Sequence, residues 1–140
     1  MKFNALLLLS LIFPVIGLAA QPGENIDKQL QDCKLHANST ADNAACYSRA
    51  IQQWDGELNK QYQLLLKTQP ADVRQKITAA QRSWLHYRDG YNEAIAAYYQ
   101  QQQGTIWPLV AAEAKLNVIR DKAIDLYKLR VSTDLAAEQE

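Results

Sequence analysis

The side chains in this sequence with most chemistry to offer are two cysteines, two histidines and a few central carboxylates. Twelve residues separate Cys33 from Cys46, and His36 follows the first cysteine closely. In an oxidising compartment, two thiols flanking a helix corner are expected to form a disulfide. Closing a loop of that size stabilises a fold by about 3 kcal/mol on the chain-entropy account. Cys33, His36 and Cys46 could instead begin a metal site, but no fourth ligand lies nearby and His86 is distant in sequence. Asp55 and Glu57 lie in one segment, Asp89 and Glu93 in another. A carboxylate pair could in principle hydrolyse a glycosidic bond. Yet the chain has no Gly-rich phosphate loop, HExxH, nucleophile elbow or thiol–His pairing. No catalytic residue, metal or cofactor is therefore assigned, and the chain reads as a non-enzyme.

The polar residues fit a positioning role better. At helical spacing Asp55, Asn59 and Tyr62 share one face, as do Gln81, Trp84 and Arg88. Polar groups beside an apolar stripe fix the register of packed helices. Arg88 is expected to pair with Asp55 or Asp89 and to stack on Trp84.

Four helical segments carry these residues, and no strand is predicted. The first spans about 26–36, with Ile26, Leu30 and Cys33 on one face and Asn25 as a plausible N-cap. Ser39 or Thr40 with Asp42 opens the second, about 41–67, whose stripe is Tyr47, Ile51, Trp54, Leu58, Tyr62 and Leu65. The third, about 70–103, starts at Pro70 and repeats Val73, Ile77, Ala80, Trp84, Tyr87, Tyr91, Ile95 and Tyr98. Gly90 interrupts it, and Gln100–Gln103 reads as a solvated helix end. The fourth, about 108–131, aligns Leu109, Ala112, Leu116, Ile119, Ala123 and Leu126. Short connections make successive helices antiparallel neighbours. The expected fold is all-α: an up-and-down bundle of three long helices, with a short N-terminal helix tied on by the disulfide. Gly104-Thr105-Ile106-Trp107-Pro108 is the one irregular stretch with unusual chemistry.

The first twenty residues have another role. Lys2, the apolar run at 5–13 and GLAA at 17–20 form a secretory signal peptide. Cleavage after Ala19 or Ala20 leaves a domain over 21–131 and a polar tail over 132–140. The whole chain is formally neutral, with 15 basic and 15 acidic residues; losing Lys2 makes it slightly acidic. With no long basic run, nucleic acid is excluded as a partner. No second apolar stretch reaches the ~20 residues of a membrane span, and no cysteine ends the leader to carry a lipid. The expected location is the periplasm or beyond. Both phenylalanines lie in the leader, so the exported aromatics are all tyrosine or tryptophan. These have an apolar body and a polar tip, suiting interfaces as well as cores.

Taken in order, Cys46, WDGELNKQY at 54–62, QRSWLHYRD at 81–89 and QGTIWPLVAAEAKL at 103–116 resemble the LprI-like lysozyme inhibitors, an exported bacterial family. The resemblance runs from about 32 to 130. It matches Asp55, Leu58, Asn59 and Tyr62 to one family motif and Gln81, Trp84, Arg88 and Asp89 to a second. Gly104 and Thr105 stand where the family usually has Gly-Ser. Typical members carry two further cysteines, one after the Arg-Asp pair and one in the last helix. Here those stretches read Gly90-Tyr91-Asn92 and Ala111-Ala112-Glu113-Ala114, so that second disulfide is missing.

The resemblance implies an exported binding protein that inhibits lysozyme or a related peptidoglycan-cleaving enzyme. Such an enzyme's cleft holds carboxylates and sugar subsites, and an inhibitor needs a projecting loop to fill it. Gly104, Thr105 and Trp107 are the candidate contacts, although Trp107 could equally cap the end of the bundle. The alternative is an envelope structural or toxin-immunity protein with no effect on lysozyme.

Overall fold

The computed structural model describes residues 21–134. The expected leader and residues 135–140 lie outside that range. Four helices account for almost all of it: α1 Glu24–His36, α2 Thr40–Lys67, α3 Ala71–Gln100 and α4 Trp107–Val131. No strand occurs among the described residues. The expected segments agree with these bounds to within about three residues at either end.

Helix starts follow from local chemistry. At α2, Ser39 is the N-cap, its Oγ accepting from the Asp42 N–H at 3.0 Å. The Asp42 carboxylate accepts in turn from the Asn38 N–H at 3.1 Å. Hydrogen bonds from the Ser39 hydroxyl and then the Asn38 N–H hold the Asp42 carboxyl below its ordinary value. Pro70 is the N-cap of α3 rather than its first residue, and its carbonyl accepts the Arg74 N–H. At α1 the expected cap is displaced. Gly23, not Asn25, is the N-cap, with a left-handed φ of +79°. The chain must turn sharply there to pass over the ring of Trp54, and a Cβ on Gly23 would collide with that ring.

The core lies among α1, α2 and α4. Ile26 and Leu30 meet Cys46, Tyr47, Ala50, Trp54, Leu58 and Leu65, with Leu116, Ile119, Ala123 and Leu126 closing the far side. The closest packing joins α2 to α4, not to its sequence neighbour α3. Almost fully buried Ala50 and Ala123 place no bulk between the helices that carry them. Contacts fix the directions. Asp27 meets Trp54 while Lys34 meets Tyr47, so α1 and α2 pair in opposite residue order. Trp54 meets Arg120 and Gln61 meets Arg130, so α2 and α4 rise together. Cys33 and Cys46 are bonded and tie the end of α1 to the start of α2.

The expected stripe of α3 divides. Ile95 is buried and Ile77 and Trp84 pack against the core, but Tyr87, Tyr91 and Tyr98 are 58%, 46% and 64% exposed. α3 packs on α4 but hardly on α2, so it is covered along one side and leaves most of its tyrosines in water.

Two outcomes test this arrangement. Gly23→Ala would meet both the backbone penalty and the Trp54 ring, and should lower stability by about 3 kcal/mol. In urea unfolding this would appear as a lower midpoint at an unchanged slope. Unfolded, unreduced protein should show no free thiol to a thiol reagent; two reactive thiols would refute the Cys33–Cys46 bridge.

Candidate partner-binding site

The α3–α4 connection, 101–106, is built by the residues that end it. Gly104 has a φ of +119°, a region open to glycine but strained for other residues. Trp107 begins α4, and Pro108 fills the first turn, where its missing N–H costs nothing. The Trp107 indole stacks on Tyr99, with centroids 5.9 Å apart and planes 16° apart. Its Nε1 donates to the Gln103 carbonyl at 3.0 Å. The Ile106 carbonyl accepts the Leu109 and Val110 N–H groups and so closes the first turn of α4. Thr105 and Ile106 are thereby held outward and exposed, while Trp107 is half-buried. Of the three candidate contacts, Trp107 anchors the loop from below, Gly104 shapes it and Thr105 stands at its tip.

The motif residues come together elsewhere, between α2 and α3. Leu58 is a core residue. The Tyr62 hydroxyl donates to Thr78 Oγ1 at 3.2 Å, and Asn59 Nδ2 donates to Asp55 Oδ2 at 3.5 Å. Arg88 serves both expected partners: Nε and Nη2 donate to Asp89 at 2.9 and 2.8 Å, and Nη1 lies 3.7 Å from Asp55. Its guanidinium sits over Trp84, 5.7 Å from the centroid. Gln81 is buried one turn away. Glu57 accepts from Gln61 and pairs with Lys60. Asp55, Glu57 and Asp89 are thus tied into bonds between or along helices. Among the described residues, no three His, Cys, Asp or Glu side chains group as metal ligands.

One constellation escaped the sequence. Asp27 accepts from the Trp54 indole Nε1 at 3.1 Å and from Arg120, whose Nε and Nη2 reach Oδ2 at 3.0 and 2.7 Å. Arg120 lies over the Trp54 ring, 5.5 Å from its centroid. Hydrogen bonding from Arg120 to Asp27 pushes the guanidinium pKa up. A second arginine, Arg130, donates to the buried amide of Gln61. The only sequence signal was an arginine next to the apolar stripe at Ile119. Its partner, 93 residues away, could not be read.

The model of the lysozyme inhibitor LprI family matches residues 31–126. The chain belongs to that family. The LprI match takes in the disulfide, the Asp55–Arg88 seam, the loop with Trp107 and Arg120, but not Asp27. A crystal structure of an uncharacterized protein from Burkholderia thailandensis is also similar, at 35% identity and a TM-score of 0.68. The alignment covers 75% of this chain and 52% of that one, so this LprI-family chain spans about half the length of that relative. No curated protein matches the sequence.

Arg88 joins α3 to α2, and a variant at this position tests whether those contacts serve structure alone. Arg88→Ala should lower stability by about 1 kcal/mol, seen as a fall of a few degrees in the thermal midpoint. Loss of partner binding at an unchanged midpoint would instead put Arg88 in an interface.

Proposed function

We propose that the protein is an exported inhibitor of lysozyme or a related peptidoglycan-cleaving enzyme, acting by occupying the enzyme's cleft and doing no chemistry itself. The LprI family match across 31–126 carries this reading. The leader-like start of the chain supports a periplasmic or secreted location, and among the described residues no helix is long and apolar enough to cross a membrane. The helices serve as an up-and-down scaffold that presents one loop.

The loop suits such a task. A glycosidase cleft carries two carboxylates flanking the scissile bond and subsites for several sugars. Thr105 offers a hydroxyl donor, and exposed Ile106 offers an apolar contact. Trp107 does not enter the cleft. Its stacking on Tyr99 and its bond to Gln103 hold the loop in one shape before the partner arrives, which lowers the ordering cost of binding. The anchor takes over the rigidity that the missing second cysteine pair would otherwise supply.

The test is a cell-wall lysis assay with c-type and g-type lysozymes. Wild-type protein should protect the cell walls in a dose-dependent way at near-stoichiometric ratios. Thr105→Ala with Ile106→Ala should weaken protection by about tenfold, the scale of one interface hot spot. Trp107→Ala should weaken it similarly while the circular-dichroism spectrum stays helical. A folded Trp107→Ala protein that inhibits as well as wild type would remove the loop from the mechanism. No protection from either enzyme would remove the lysozyme reading.

A further inference from the structure

The solvent-facing tyrosines of α3 line a groove that the proposed loop does not use. Trp84, Tyr87 and Tyr91 form one wall, and Asn117, Asp121 and Asp125 of α4 form the other, around a volume of about 530 Å³. Tyr87 and Tyr91 are stacked, with centroids 5.5 Å apart and planes 14° apart. Asn117, Asp121 and Asp125 recur every four residues, so they stand in one row along α4. The Asp121 and Asp125 side chains are 75% and 66% exposed. Lys122 also lines the groove and donates to one oxygen of Asp125 at 3.1 Å. Asp121 has only a 4.0 Å approach from Arg120, whose strong bonds go to Asp27. Two carboxylates against one ammonium leave the lining net negative.

The protein twice completes this set of groups with an arginine. Arg120 lies over Trp54 and bonds Asp27, and Arg88 lies over Trp84 and bonds Asp89. In both, a planar cation is held between an aromatic face and a carboxylate, where the negative ring face and the anion attract it together. Among the described residues, no lysine or arginine lies over Tyr87 or Tyr91. We propose that the α3–α4 groove receives arginine side chains of a partner protein, which lie on the Tyr87 and Tyr91 rings and pair with Asp121 and Asp125. The negative charge of the groove and the cation-free rings of Tyr87 and Tyr91 select that occupant. The inference does not require the partner to be lysozyme.

The probe is the peptide acetyl-Gly-Arg-Gly-Arg-Gly-amide, titrated into the purified protein while the Tyr87 and Tyr91 ring signals are followed by NMR. Saturable shifts with a Kd in roughly the millimolar range are expected, weakening as salt rises. Asp121→Asn with Asp125→Asn should weaken binding by about fivefold at low salt, as should Tyr87→Ala with Tyr91→Ala. All four side chains are exposed, so thermal midpoints should hold. Either pair can carry the test if the other misfolds. Chitotriose, a neutral sugar probe, should leave the rings unmoved. Shifts with chitotriose but not the peptide would make the groove a glycan site and overturn the proposal, and so would no response to either. Peptide binding without lysozyme inhibition would leave the groove intact and remove only the lysozyme reading.

Discussion

Trp54 has no solvent exposure, and three separate parts of the chain are arranged around it. Gly23 turns the backbone over its ring, Asp27 of α1 accepts its indole N–H, and Arg120 of α4 covers its face while bonding the same carboxylate. Burying an indole removes roughly 200 Å² from water, worth up to ~5 kcal/mol. That term dominates. The Asp27–Arg120 pair is partly exposed and adds about 1 kcal/mol at most after solvent screening. Its larger effect is on specificity, since without Asp27 the buried indole N–H would lose its partner at a cost of about 1–3 kcal/mol. The arrangement therefore fixes where α1 and α4 sit on α2 as well as adding stability.

The exposed features follow from that constraint. Once α2 is packed along α4, α3 lies against α4 and hardly touches α2. The tyrosines of α3 then lie beside a row of α4 carboxylates instead of entering a core. At the far end of α3 the chain must return to α4, and Trp107 packs on Tyr99 to close that return. The loop and the groove are both consequences of how α3 is placed, so the two surfaces proposed for binding lie along one helix pair. The disulfide acts at the opposite end of α1 from Asp27, leaving that short helix pinned at both ends.

Much of this was legible. Helical periods, a cap at Ser39 or Thr40, the cysteine pair and the Arg88 cluster depend on spacing along one or two segments; the structure forms each of them and gives the cap to Ser39. The core faces of α2 and α4 were readable because Leu58, Leu65, Leu116 and Leu126 repeat at helical intervals and are buried. The stripe of α3 was not, because its period is equally regular. Tyrosine tolerates either environment, so periodicity could not say that Tyr87, Tyr91 and Tyr98 would stay in water. Trp107 reads in sequence as a contact or a cap, and its stacking on Tyr99 left no signal in the spacing.

The sequence by itself determined the elements and the local bonds: four helices, their caps within a few residues, the disulfide, and the motifs that mark an LprI family member. These are set by interactions between residues near in the chain or by residue types at fixed intervals. Only the tertiary structure decided that α2 would pack most closely on α4, that Gly23 rather than Asn25 would begin α1, and that Asp27 would find Arg120. Those outcomes depend on shapes and charges meeting across up to 93 residues of chain, and spacing along a sequence carries no record of them.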